Sequence, residues 1–364
     1  MKKYMSLLLA VLMLAALFTG CAKQAAEPAP TEAPKAEAKA TEAPQAEVKP
    51  TVAPTAEPTA EPTAEPTPEP VVMRLGSLKG PTTMGMVKLL SDSEAGLTKN
   101  KYESTIAAAA DELTPKLLKG ELDMLALPVN AGSVLYNKSE GGVTLLAVNT
   151  LGVLYVLEKG GETVKTVADL KGKTIYATGK GNTPEYALAY LLSQNGLSID
   201  SDVAMEWKSE PTEVVAQLST VENGVAVLPQ PFVTVAMGKV EGLRVALDMT
   251  KEWADVGSTL ITGGLIVRTA FLQEHPEAVK IFLEEYAAST QFVNEHPAEA
   301  AALVEQYIGV NAAVAEKAIP ACNIVCLTGE EMKTAAEGYL TVLFDLNPKA
   351  VGGALPGEGF YYQP

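Results

Sequence analysis

Two short turns hold the groups best suited to gripping a small molecule. Gly76-Ser77-Leu78-Lys79-Gly80-Pro81-Thr82-Thr83 and Thr178-Gly179-Lys180-Gly181-Asn182-Thr183-Pro184 each follow an apolar run and precede a helical pattern. Proline suits the first turn of a helix, where its missing N–H is not needed. A helix N-terminus carries about half a positive charge and unpaired N–H donors. The main-chain amides at 80–84 and 182–186 therefore predict capture of an anionic or carbonyl-rich solute. Lys79 and Lys180 stand beside them, Ser77, Thr82, Thr83 and Thr183 add hydroxyls, and Gly80, Gly181 and Asn182 complete the turns. Two Leu-Pro stops, at 127–128 and 228–229, place Asn130, Gln230 and Phe232 toward the same gap. Thr150, at a crossover, could reach a ligand or could cap a bend. Glycine-rich turns before helices also occur simply as turns, so the weight rests on their recurrence.

The groups for catalysis are sparse. The chain has two His and three Cys, which nearly excludes zinc clusters and a His-dependent triad. No phosphate-binding loop, Gly-x-Ser-x-Gly or His-Glu-x-x-His is present. Glu185 and Asp123 are the acid–base candidates nearest the turns. Cys322 and Cys326 are four residues apart, which a strand holds too far apart for a bridge, so two buried thiols are favoured over a disulfide. No catalytic residue, metal or cofactor is expected. The formal charge is −16 over 364 residues, and beyond residue 70 it is 35 acidic against 22 basic residues. That argues against nucleic acid or an anionic membrane surface as partner.

The elements that position the turns alternate strand and helix, which predicts an α/β fold with a largely parallel sheet. The first half reads as a strand at 71–75, a helix from Pro81, a helix at 111–120 and a strand at 124–127. The second half repeats this with a strand at 174–177, a helix from Pro184, a helix at 212–218 and a strand at 224–228. Two similar lobes follow. The apolar run 143–157, with Asn149-Thr150-Leu151-Gly152 in its middle, and the runs 243–247 and 260–267 are the candidate crossovers. Helices at 276–294 and 328–346, the latter with a Thr328/Glu331 capping box, are expected to pack on lobe I.

The N-terminal fifth is different. Lys2 and Lys3, an uncharged apolar run from Met5 to Phe18, and Thr19-Gly20-Cys21 read as a secretory leader, the apolar run being too short for a comfortable membrane span. Residues 22–70 contain 14 Ala, 11 Pro, nine Glu and seven Thr, with Thr-Ala-Glu-Pro three times in succession. Such a composition cannot bury enough surface to offset chain entropy. As a coil it reaches roughly 40 Å, and stretched about 150 Å, which suits a spacer.

These segments, with Asp169-Leu170-Lys171-Gly172-Lys173-Thr174-Ile175 the most specific string, resemble extracytoplasmic substrate-binding lipoproteins of ABC importers. The nitrate/sulfonate/taurine-type group, which includes thiamine-pyrimidine binders, is the most similar. The resemblance implies a two-lobed periplasmic-binding-protein type II fold with two crossover segments and a ligand cleft between the lobes. It implies a signal peptide over 1–20, lipidation at Cys21, a tether over 21–70, lobe I over 71–150 and 259–364, and lobe II over 151–258. It also implies a monomer outside the cell, anchored to the membrane through the Cys21 lipid. Its partners would be a small-molecule solute, anionic or heterocyclic, and an ABC permease with its ATPase. The turns lack an Arg, which argues against a strongly anionic ligand. The alternatives are an enzyme on the same fold, of pyrimidine-synthase or dehydratase type, and a ligand-sensing subunit.

Overall fold

A computed structural model describes residues 70–364. The expected leader, Cys21 and most of the tether lie outside the described residues.

The first half runs β1 (Val72–Leu78), α1 (Pro81–Met84), α2 (Val87–Glu94), β2 (Lys101–Ala107), α3 (Ala110–Leu118), β3 (Met124–Leu127), α4 (Val129–Lys138) and β4 (Val143–Leu151). The middle runs β5 (Leu154–Lys159), β6 (Thr174–Ala177), α5 (Thr183–Gln194), β7 (Ala204–Trp207), α6 (Pro211–Thr220), β8 (Gly224–Pro229), α7 (Phe232–Lys239), β9 (Leu243–Asp248) and α8 (Met249–Asp255). The chain then forms β10 (Ile261–Arg268), α9 (Thr269–Glu274), α10 (Pro276–Glu295), α11 (Pro297–Ile308), α12 (Ala312–Ala318), β11 (Ile324–Leu327) and α13 (Gly329–Leu346).

The strands form two sheets, ordered β2-β1-β3-β10-β4-β11 and β7-β6-β8-β5-β9. The first five strands of one sheet match those of the other. In each, a first strand pairs in parallel with the second and third, and then comes a strand of opposite sense. That reversed strand, β10 or β5, belongs to chain arriving from the other sheet, so it runs against its neighbours. The sheets are therefore mixed rather than largely parallel. The predicted run 143–157 is two strands in different sheets, broken at Gly152-Val153. The chain returns through α8.

Burial explains the strand sequences. Every residue of β3 is buried, with Met124 and Ala126 on the α2/α10 side and Leu125 and Leu127 on the α4/α13 side. Removing one such leucine side chain costs about 2–5 kcal/mol. The helix expected from Pro81 instead breaks at Gly85-Met86. A Cβ on Gly85 would sit 2.6 Å from the Tyr286 hydroxyl, so α10 packs directly on the break. Strands β2 and β7 and helix α4 were not expected. The capping box at Thr328 is absent: the residue is extended before α13, but its side chain caps nothing. Helix α13 packs on α4 and β4 as expected, and also on α5 of the second lobe. Both cysteines are free thiols, Cys322 buried and Cys326 half-buried, and burial pushes them up to about 12 and about 11.

Two buried carboxylates tie the far ends of the strands. Asp123, at the start of β3, accepts from the Arg74 amide (2.9 Å), Arg74 Nε (2.8 Å) and Arg268 Nη2 (2.9 Å). Glu158 on β5 accepts from Thr163 N (3.0 Å), Val164 N (3.2 Å) and the Arg244 guanidinium. Burial alone would raise the Glu158 carboxyl, but these donors outweigh it and bring it from 4.5 down to about 2. The folded value lies below the unfolded one, so the group stabilises the fold above pH 4.5. That contribution, about 3 kcal/mol, is lost as the pH falls toward 2. In urea unfolding between pH 6 and pH 2.5, Glu158→Gln is expected to start less stable than the wild type and to lose less on acidification. Parallel acid profiles of the two proteins would refute the assignment.

Candidate functional site

The carboxyl ends of the first strands of both sheets point into one gap, the usual place for a ligand in open α/β sheets. A cavity of about 340 Å³ lies there. One wall is built by Leu78 at the end of β1, Ala110 opening α3, and Pro128, Asn130 and Ala131 around the start of α4. Asn182, Thr183 and Pro184 at the start of α5, with Pro229 ending β8, form the opposite wall. Val153 and Leu154 of the outgoing crossover and Thr262 of β10 close the floor. A second chamber of about 450 Å³ adjoins it, sharing Asn130, Ala131 and Asn182, and is lined further out by Asp111, Lys138, Tyr186 and Lys349.

Three helices, α3, α4 and α5, thus begin at the cavity. Their opening amides are the chemistry of the site, since no charged side chain lines the inner chamber. Part of that donor set is spoken for: Glu112 Oε1 accepts from Ala109 N (3.1 Å), and Glu185 Oε2 from Gly181 N (2.5 Å). Thr183 is only 8% exposed and lines the inner chamber.

The expected site residues divide clearly. Asn130, Gly181, Asn182 and Thr183 line one chamber or both. Asn130 Nδ2 donates to Ala350 O (3.2 Å), while its Oδ1 is buried without a partner. The others do not line either chamber. Lys79 and Lys180 are exposed, and Lys79 contributes only its main-chain N–H, to Ala107 O (2.9 Å). Thr82 and Thr83 turn their hydroxyls back onto Leu78 O (3.1 and 2.5 Å), closing their own turn rather than facing a ligand. Gly80, at φ 133°, serves the same turn by accepting from the Thr83 and Met84 amides. Ser77 Oγ is buried within β1 without a partner. Thr150 is buried and bonded to Asn149 Oδ1 (3.1 Å). Gln230 accepts from the Thr234 amide (3.3 Å) and hydroxyl (2.9 Å), which fixes the start of α7. Phe232 packs on the apolar cluster of Tyr155, Leu228 and Val233 behind the second sheet.

Neither acid–base candidate is free. Asp123 lies at the opposite end of β3, held by two arginines, and Glu185 is bound to the Gly181 amide. Ala110, Ala131, Val153, Leu154 and Thr262 were missed. The Leu127-Pro128 stop was the available signal for Ala131, since a strand that ends there must deliver the next helix to the gap.

Helix α5 is held in place from behind. Trp253 of α8 is fully buried, donates from Nε1 to Ala187 O (3.1 Å) and packs between Tyr190 and Tyr339, with ring centroids 4.4 and 5.9 Å away. Tyr339 belongs to α13, and its buried hydroxyl lies near Thr183; burial raises the pKa of that hydroxyl well above the ordinary tyrosine value. Asn347 Nδ2 donates to Tyr186 Oη (3.3 Å) across the same seam.

Comparison with known proteins agrees with this geometry. Residues 136–300 match the family model described as NMT1/THI5 like. No curated protein matches the chain by sequence. Among solved structures, an ABC transporter protein from Parabacteroides distasonis is 25% identical with a TM-score of 0.69, covering 80% of this chain and 99% of its own. The periplasmic aliphatic sulphonate binding protein SsuA from Escherichia coli is 19% identical with a TM-score of 0.65, covering 81% and 93%. The periplasmic nitrate-binding protein NrtA from Synechocystis PCC 6803 is 14% identical with a TM-score of 0.56, covering 77% and 82%. Residues 136–300 are thus similar to the NMT1/THI5-like family, within a chain that has the two-lobed fold of the solute-binding proteins of ABC importers.

Proposed function

We propose that this protein captures a small organic solute outside the cell membrane and delivers it to an ABC permease, without transforming it. The observation that carries this reading is the inner chamber: neutral walls, three helix N-termini, and no Asp, Glu, His or Cys on its lining. Such a site binds by main-chain amides and has no group to move a proton. Ligands that bridge the two walls favour a closed arrangement, and closure changes the surface a permease meets. Of the relatives above, one is named for aliphatic sulphonate and one for nitrate. The leucines, prolines and alanines lining this chamber suit an organic anion better than a bare inorganic one. The pyrimidine-synthase and dehydratase alternatives would need an acid or base at the reacting atom, and both candidates are engaged elsewhere.

The leader, the Cys21 lipid and the Pro-rich spacer are part of the same proposal: a monomer held to the outer face of the membrane on a long tether. Replacing Cys21 with Ala is expected to release the protein into the soluble fraction, read by immunoblot of fractionated cells. Unchanged membrane retention would end the lipid-anchor reading.

Binding is tested by thermal shift against a panel of sulfonates, carboxylates, pyrimidines, amino acids and nitrate. At about 100 times its dissociation constant a true ligand adds about 2.7 kcal/mol, or roughly 5 °C. For that ligand, Thr183→Val is expected to weaken binding about tenfold or more, as loss of a hydrogen bond to a charged group does. Ala131→Leu, which fills the chamber, is expected to act in the same direction. Lys79→Ala and Lys180→Ala are expected to leave affinity within about twofold, because neither side chain reaches the walls. Consumption of the bound molecule, seen by mass spectrometry, would overturn the binding-only reading.

A further inference from the structure

The two chambers differ in how they treat charge. The inner one offers helix N-termini and the largely buried Thr183, with no side-chain charge on its lining. The outer one is lined by Lys138, at the end of α4, and by Lys349, in the short turn Pro348–Val351. Both ammonium groups are exposed, and neither is ion-paired among the described residues. One carboxylate, Asp111, faces the same chamber, so its side chains leave a net positive charge. The residues that line both chambers, Asn130, Ala131 and Asn182, are uncharged and make the neck between them.

Resting on the reading of this cleft as a solute site, we propose that Lys138 and Lys349 select ligands with a second acidic group. The substrate class is then an elongated organic diacid. One anionic head sits on the amides of α3, α4 and α5, an apolar spacer passes the neck, and the distal acid meets the two lysines. A single oxyanion, or an organic acid with one charged end, leaves the outer pair unused. The lysines lie far enough out to be reached by water, so their effect is moderate and salt-sensitive.

The test is calorimetric titration of the full chain with a matched pair of probes, benzenesulfonate and 4-sulfobenzoate, at low salt. The wild type is expected to prefer the diacid by about fivefold to tenfold, the scale of two exposed ion pairs. In K138Q/K349Q the ratio of the two affinities is expected to fall to about one, and in K138R/K349R to be retained. Equal binding of both probes by the wild type, or a preference that survives in K138Q/K349Q, overturns the diacid proposal while leaving the cleft as a solute site. Binding of neither probe, with a different compound class stabilising the protein, overturns it as well. Stabilisation by no solute in the wider panel is the separate failure of the solute-binding reading.

Discussion

Strands β5 and β10 each finish one sheet with chain that has just left the other. Each is hydrogen-bonded on both sides, β5 between β8 and β9 and β10 between β3 and β4. Withdrawing either would strip a central strand of two ladders of buried backbone bonds. The two lobes therefore cannot separate, and relative motion must be taken up in the short links between them. Those links touch one another. A Cβ on Gly152 would fall 2.2 Å from Thr250 Oγ1, Asn323 Nδ2 donates to Gly152 O (2.6 Å), and Thr262 Oγ1 donates to Leu151 O (2.5 Å). The outgoing and returning chain thus form a single pivot. Because the first strands of both sheets end at the gap beside it, the helix N-termini face one volume.

This arrangement makes the site a property of backbone direction. A parallel strand followed by a short turn delivers its helix N-end first, so three such units bring three sets of free amides to one volume. Side chains are then needed only to shape the space, and small or cyclic ones serve best. The second wall depends on the position of α5, which the Tyr190–Trp253–Tyr339 stack fixes from the side away from the ligand. Trp253 lies on the returning crossover and Tyr339 on a helix packed against the first sheet. The wall is therefore referenced to the pivot and to the opposite lobe at once.

What was readable in the residues follows the same division. Strands β3 and β6 were delimited to the residue, because short apolar runs there end in Pro or a glycine turn. Edge strands β2 and β7 escaped notice, since Lys-Tyr-Glu-Ser-Thr-Ile-Ala and Ala-Met-Glu-Trp present charged residues to solvent and bury too little to show a pattern. Helix α4 was hidden by Asn130, Gly132 and Ser133, poor helix formers that tertiary packing overrides. At the site, Asn182 and Thr183 could be found because position after a strand decides what they face. The lysines could not. Whether a turn residue points inward depends on bonds such as Thr83 Oγ1 to Leu78 O, which consume the hydroxyls and leave Lys79 outside.

The acidic balance of the protein and the amide-lined chamber pull on an anion in opposite senses, and distance decides between them. At physiological ionic strength exposed charges are screened over about 8 Å. Most of the acidic side chains therefore contribute little field at the cleft, and a ligand approaching it is governed by the groups at the mouth. There Lys138 and Lys349 outnumber Asp111. Past the neck the solute leaves water, screening weakens, and the partial charges of the helix ends act over short range in a less polar surrounding. An anion can thus be admitted by a protein of strongly negative net charge, provided the mouth is locally positive and the interior supplies donors rather than countercharge.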